Sequence, residues 1–134
     1  MEDILTAAEA AVSAKSGCPP LVLSRVQDTR PRHLDNGRTV LRPSLPYDDA
    51  TRMASCFLDL YIGARYAPSP SVPGCVCHAT VLSGTVRLTA EGQSFQLLER
   101  DALRFSADQP YHFENLSSGV GRLLLEYQYL RGHP

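Results

Sequence analysis

From Met53 to Leu130 the chain is a succession of short apolar-polar alternations, and the spacing predicts strands over 53–62, 75–82, 85–90, 94–98, 102–106, 111–115 and 121–130. Turn residues punctuate them at Ser83-Gly84, Glu91-Gly92, Glu99-Arg100-Asp101 and Ser117-Ser118-Gly119. Short strands at regular intervals with such turns argue for an all-β sandwich or barrel. The segment Ala67-Pro68-Ser69-Pro70-Ser71-Val72-Pro73-Gly74 is a proline-stiffened loop leading into the best-defined strand. Upstream the pattern differs. Ile4, Leu5, Ala8, Ala11 and Val12 recur at helical spacing and predict an amphipathic helix over 2–16, stopped by Gly17 and Pro19-Pro20. A helix this short is marginal alone and has to pack on the barrel or on another subunit. Leu21–Val26 reads as a short strand. Residues 28–50 are polar and turn-rich, with Asp35-Asn36-Gly37 a hairpin turn around Arg38-Thr39-Val40-Leu41. The expected organisation is an N-terminal helix over 1–20 and one β-barrel domain over 21–134.

Length and composition narrow the classes without choosing a function. A chain of 134 residues is one domain with room for a real core. No apolar run is long enough for a membrane span. The acidic start, Met1-Glu2-Asp3, does not read as a secretory signal. A net charge of −1 with scattered basic residues gives no reason to expect nucleic acid. Cys18, Cys56, Cys75 and Cys77 then read as reduced thiols in a cytoplasmic protein. No phosphate-cradling loop, serine-histidine-aspartate order or nucleotide fingerprint is present.

Two segments carry a family resemblance. One is Pro73-Gly74-Cys75-Val76-Cys77-His78-Ala79-Thr80-Val81-Leu82-Ser83-Gly84-Thr85-Val86, the other Arg100–Asn115 with Pro110-Tyr111-His112-Phe113-Glu114-Asn115 at its end. Together they resemble the paired motifs of the cupin superfamily, and most closely the cupin domain at the C-terminus of helix-turn-helix regulators. The match covers roughly residues 50–130, and the helix over 2–16 resembles those regulators' linker. The resemblance implies a barrel of two antiparallel sheets. It also implies a metal site of two histidines, a glutamate and a further histidine. Those positions fall on or near Ser71, Pro73, Cys77 and Tyr111 here, so all are changed and no metal or other cofactor is expected.

Strand alternation sorts the residues around that place. If Cys77 faces inward, so do Cys75, Ala79 and Val81, while His78 faces out; Tyr111 and Phe113 face in, and His112 out. A slip of one residue would reverse every statement. The expected pocket is lined by Cys75, Cys77, Tyr111 and Phe113, with Phe57, Tyr61, Phe105, Leu123, Leu125 and Tyr127 as walls. Cys75-x-Cys77-His78 looks like a zinc fragment, but its residues cannot all face one way on a regular strand. The alternatives for the two cysteines are small buried residues or a thiol with a chemical role. Tyr111 is either packed with one internal hydrogen bond or a donor to a ligand. Asn115 is expected to cap the turn after its strand. Asp59 and Glu126 are expected to face outward, solvated or paired with an arginine such as Arg52, Arg65 or Arg122. Two function classes follow. One is a metal-independent isomerase, cyclase or lyase acting on a small, partly apolar substrate through Tyr111 and Cys77. The other is a non-catalytic effector-binding domain. A homodimer is expected in either case, with no nucleic-acid or membrane partner.

Overall fold

The computed structural model describes residues 21–130. The helix expected over 2–16 lies outside the described residues. The strands are β1 (Arg32–Leu34), β2 (Thr39–Pro43), β3 (Met53–Leu60), β4 (Arg65–Tyr66), β5 (Cys75–Ser83), β6 (Val86–Ala90), β7 (Gln93–Leu97), β8 (Ala102–Ser106), β9 (Tyr111–Asn115) and β10 (Gly121–Tyr129). They form a six-stranded sheet in the order β1-β2-β3-β10-β5-β8 and a four-stranded sheet in the order β4-β9-β6-β7. Every pairing is antiparallel. This is the two-sheet barrel expected from the alternation.

The alternation works as a packing rule. On β5, Cys75, Cys77, Ala79 and Val81 are buried while Val76, His78 and Thr80 are half-exposed. Leu58 and Leu60 of β3 and Leu123 and Leu125 of β10 face the same interior. Val86, Leu88 and Phe113 close it from the four-stranded sheet. Fully burying one such leucine or phenylalanine is worth about 1.5–3 kcal/mol, so a one-residue slip of β10 would be prohibitive.

Two turns set the geometry. Glu91 and Gly92 both have positive φ, 52° and 77°, the backbone of a tight hairpin whose twist suits β6 and β7. The Glu91 carboxylate then accepts from the Ser106 backbone N–H at 2.8 Å, tying that turn to the end of β8. Gly84, at φ +86°, turns β5 into β6. A Cβ there would sit 3.0 Å from both Gly121 Cα and Ser117 Oγ. Its glycine is therefore required by conformation and by space.

One expected strand is absent. Leu21–Arg25 has no regular structure, and Val26–Asp28 is a single 3-10 turn. Its apolar run is exposed, and no strand among the described residues pairs with it. The hairpin expected around Asp35-Asn36-Gly37 is present and joins β1 to β2.

Candidate ligand-binding site

Most of the expected site residues, Cys75, Cys77, Phe105, Tyr111, Phe113, Leu123, Leu125 and Tyr127, face the barrel interior. On the six-stranded sheet an inward row runs Phe105–Cys77–Tyr127–Ala54 across β8, β5, β10 and β3. A second row runs Leu103–Ala79–Leu125–Cys56. Tyr111 and Phe113 come down from β9, and Tyr66 pairs with Phe113 across β4. The rings interlock: Phe105 and Tyr111 have centroids 4.9 Å apart, Tyr111 meets Phe113 edge-on at 5.8 Å, and Tyr66 stacks on Phe113 at 6.2 Å. At the centre the Tyr111 and Tyr127 hydroxyls are hydrogen-bonded at 3.0 Å.

Burial divides this cluster. Cys77, Phe113 and Leu125 have no exposed surface, Cys75 has 1% and Tyr111 5%. They are core. The rim consists of inward residues that remain partly exposed: Cys56, Tyr66, Tyr127 and Tyr129. Two expected wall residues need correction. Phe57 is 36% exposed and Tyr61 40%. Both share the outward parity of Asp59, which pairs with Arg122 at 3.6 Å on the outer face. Leu58 and Leu60 hold the inward positions instead, because burying a carboxylate at 59 would cost far more than exposing a phenylalanine. Glu126 also faces outward, opposite Ser55 and His78.

Sequence reasoning missed Cys56, Tyr66 and Tyr129 as rim residues. Cys56 shares the parity of Leu58 and Leu60, which could have placed it inward. Tyr66 belongs to a two-residue strand that offers no period to read. Asn115 does more than cap a turn. Its amide nitrogen donates to the carbonyls of Leu60, Tyr61 and Gly119 at 2.9, 3.0 and 2.8 Å, and its oxygen accepts from Ser117 N–H and Oγ–H. It therefore locks the end of β9 to the ends of β3 and β10.

The buried groups of the cluster are thiols and phenols, with charge only at its margin, where Asp108 acts on Cys75 and Arg32 on Tyr66. Burial pushes the Cys56 thiol up to about 11. Burial also raises Cys77, with the Cys56 thiol adding to the rise and the Tyr127 hydroxyl partly opposing it. Cys75 is raised by burial and eased by Ser71 and Tyr129. Tyr66, Tyr111 and Tyr127 are all raised, burial being the largest cause in each. At neutral pH these groups are thiols and phenols, hydrogen-bond donors rather than bases or nucleophiles.

The donor chemistry does not fit the metal that the fold family implies. Pro73 offers no side-chain donor, and Cys77 and Tyr111 present a thiol and a phenol raised by burial where the resemblance implies a carboxylate and an imidazole. Among the described residues, no group of three or more His, Cys, Asp and Glu could hold an ion. His78 lies opposite Arg104 on the six-stranded sheet and His112 opposite Thr89 on the other, both facing outward, so they cannot share a ligand.

No protein-family model matches the chain, and no curated protein matches it. Solved structures do. The Cupin_2 domain of an XRE family transcriptional regulator from Enterobacter cloacae is 26% identical with a TM-score of 0.67, the match covering 70% of this chain and 99% of that one. An HTH_3 family transcriptional regulator from Vibrio cholerae is 20% identical with a TM-score of 0.68, covering 73% of this chain and 55% of that one. This chain thus spans about half of that regulator. KdgF from Halomonas sp. is 10% identical with a TM-score of 0.67, covering 83% of this chain and 96% of that one. Likenesses at the two lower identities speak for fold alone. Among the described residues no helix is long and apolar enough to cross a membrane. On this fold and these likenesses, residues 21–130 form a cupin-like barrel that resembles the Cupin_2 domain of a transcriptional regulator.

Proposed function

We propose that this domain binds a small, partly apolar effector at the Tyr66–Tyr127–Cys56 rim of the barrel and holds it without chemical change. The observation that carries this reading is the neutrality of the interior. Cys56, Cys77, Tyr111 and Tyr127 are thiols and phenols raised by burial, so none of these four works as a base near pH 7. The Tyr111–Tyr127 pair has hydrogens to offer and suits a ligand carrying a carbonyl or other acceptor oxygen. The aromatic rings beside it suit an apolar body. The likeness to the Cupin_2 domain of an XRE family transcriptional regulator supports the same class. We place the protein in the cytoplasm as a homodimer, acting without a metal.

A second reading, a metal-independent isomerase, cyclase or lyase, draws on one specific feature. Two hydrogen-bonded tyrosines can pass a proton to a substrate oxygen, and orientation in a closed site lowers barriers. Cys77 would contribute as a neutral donor. Thermal-shift screening against small aromatic and aliphatic carbonyl compounds separates the readings. A binder at about 100 times its Kd stabilises the fold by about 2.7 kcal/mol. Recovering that compound unchanged by mass spectrometry supports the binding domain, and its steady conversion to product supports the enzyme. Light scattering that shows a monomer at micromolar concentration would contradict the homodimer.

A further inference from the structure

Strand register puts one charge among the inward rows of the barrel. Arg32 of β1 lies opposite Leu41, Leu41 opposite Leu58, Leu58 opposite Leu123 and Leu123 opposite Val81. Those four partners are all buried, so Arg32 belongs to an inward row. Leu34, two residues on and therefore on the same face, packs against the core. The other charged strand residues face out: Arg42, Asp59, Arg104, Arg122 and Glu126 on the six-stranded sheet, and the row Arg65–Glu114–Arg87 on the other. Among the described strand residues, Arg32 is thus the single Arg, Lys, Asp or Glu on an inward row. β1 is a free edge of the six-stranded sheet and β4 a free edge of the four-stranded one. On β4 the Tyr66 phenol is raised by burial and by the Cys56 thiol, and the Arg32 charge opposes that rise. Arg32 therefore meets the rim residue Tyr66 at the seam between the two sheet edges. Its guanidinium forms no ion pair or hydrogen bond with any described residue. Asp35, the nearest carboxylate in sequence, is held by Arg38 at 3.1 Å. Asp28 sits in the 3-10 turn before β1 and pairs with no described cation. Asp108, the other charge at the margin of the cluster, acts on Cys75 instead.

We infer that Arg32 makes the site selective for ligands that carry a carboxylate, an inference that rests on the binding proposed at the rim. An arginine guanidinium presents parallel N–H donors that match the two oxygens of a carboxylate. Tyr66, a phenol at neutral pH, adds an O–H donor from the other side of the seam. Arg32 is exposed, whereas Tyr66, Cys56 and Tyr127 are half-buried against the core. A ligand with an anionic head and an apolar body then has one orientation. The head stays at the seam, where water and Arg32 solvate it, and the body points toward Cys56 and Tyr127. The reverse orientation would strip a carboxylate of water among thiols and aromatic rings, which is far more costly. The Tyr111–Tyr127 pair serves a second acceptor oxygen where the ligand has one. An inward charge on an edge strand also blocks sheet extension. That role needs only a charge and demands no preference among ligands, so binding measurements separate the two.

Calorimetric titration of the full chain with matched probes tests this: 3-phenylpropionate against 3-phenylpropanamide, and octanoate against octanamide. Each pair keeps the apolar body and changes the charge of the head. The acid of each pair is expected to bind about tenfold more tightly than its amide, with the preference shrinking as salt is raised. Arg32→Gln is expected to bring the acid down to the amide's affinity. Arg32→Lys keeps the charge but not the fork, and is expected to restore only part of the preference. The acid-to-amide ratio of the unaltered chain and the Arg32→Lys result decide the matter even if the glutamine variant does not fold. Equal affinities for acid and amide in the unaltered chain would overturn this inference and leave binding at the rim standing. A preference for the acid that survives Arg32→Gln would also overturn it, showing that another group holds the carboxylate. So would a change in self-association with no change in binding, which would leave Arg32 as edge protection alone. If neither acid nor amide binds, binding at the rim falls, and this inference falls with it.

Discussion

Tyr111 and Tyr127 reach each other from different sheets. Tyr111 stands on β9 of the four-stranded sheet and Tyr127 on β10 of the six-stranded one, and their hydroxyls meet at 3.0 Å. It is a polar fastening across a mostly apolar interior. Removing either hydroxyl leaves the other without this partner in a largely buried place. Tyr111→Phe and Tyr127→Phe are each expected to cost about 0.5–1.5 kcal/mol of stability, and the double variant less than the sum. Urea unfolding of the single and double variants checks this; strictly additive losses would mean that the hydroxyls do not interact.

His112 is the matching control. It neighbours Tyr111 in sequence but faces outward opposite Thr89. His112→Ala is expected to change stability and ligand affinity by less than about 0.5 kcal/mol. A large loss at His112 with a silent Tyr111→Phe would indicate that β9 is read one residue out of register.

Asn115 is expected to be among the most sensitive polar positions. Its amide serves the carbonyls of Leu60, Tyr61 and Gly119 together and holds Ser117 on its oxygen side. Asn115→Ala leaves several of these without a partner and is expected to cost about 2 kcal/mol or more. Asn115→Asp keeps the acceptor but loses the donor, so it should not rescue. Calorimetric Tm values of the two variants decide the matter.

Stability should fall on the alkaline side. The Cys56 thiol, ordinarily near 9.0, is pushed up to about 11 in the fold, and Cys75, Cys77, Tyr66, Tyr111 and Tyr127 are raised in the same direction. A group raised on folding binds its proton more tightly in the native state. Its contribution is therefore complete below the unfolded value and is lost as pH rises through the folded one. Unfolding free energy is expected to be level with respect to these groups between about pH 7 and 8 and to decline from about pH 9 upward. Denaturant titrations at stepped pH test this, and Cys56→Ala should flatten part of the slope between about 9 and 11. A stability that rises above pH 9 would contradict the protonated interior.

The fold was legible because alternation and turn chemistry agree over most of the barrel. β5, β8, β9 and β10 lie within a residue of where the pattern puts them, and the inward parity of Cys77, Tyr111 and Phe113 holds. Legibility failed where periodicity had nothing to grip. Leu21–Val26 is apolar but pairs with no strand among the described residues, and Arg65–Tyr66 is too short to show a period. Phe57 and Tyr61 were drawn inward by their aromatic character. Their shared parity with Asp59 already argued the reverse. Whether an inward residue is core or rim depends on what covers it from the opposite sheet, and pattern along one strand does not carry that.

The central claim, that the barrel binds at the Tyr111–Tyr127 end without chemical change, is tested most directly by crystallography. Crystals would be soaked with a compound that raises Tm. The account predicts density for the intact compound among Cys56, Tyr66 and Tyr127, with an acceptor oxygen about 2.7–3.0 Å from a tyrosine hydroxyl. Density for a converted product there would contradict it. So would the compound seated elsewhere while the rim residues close on one another, or a metal ion held by Cys77.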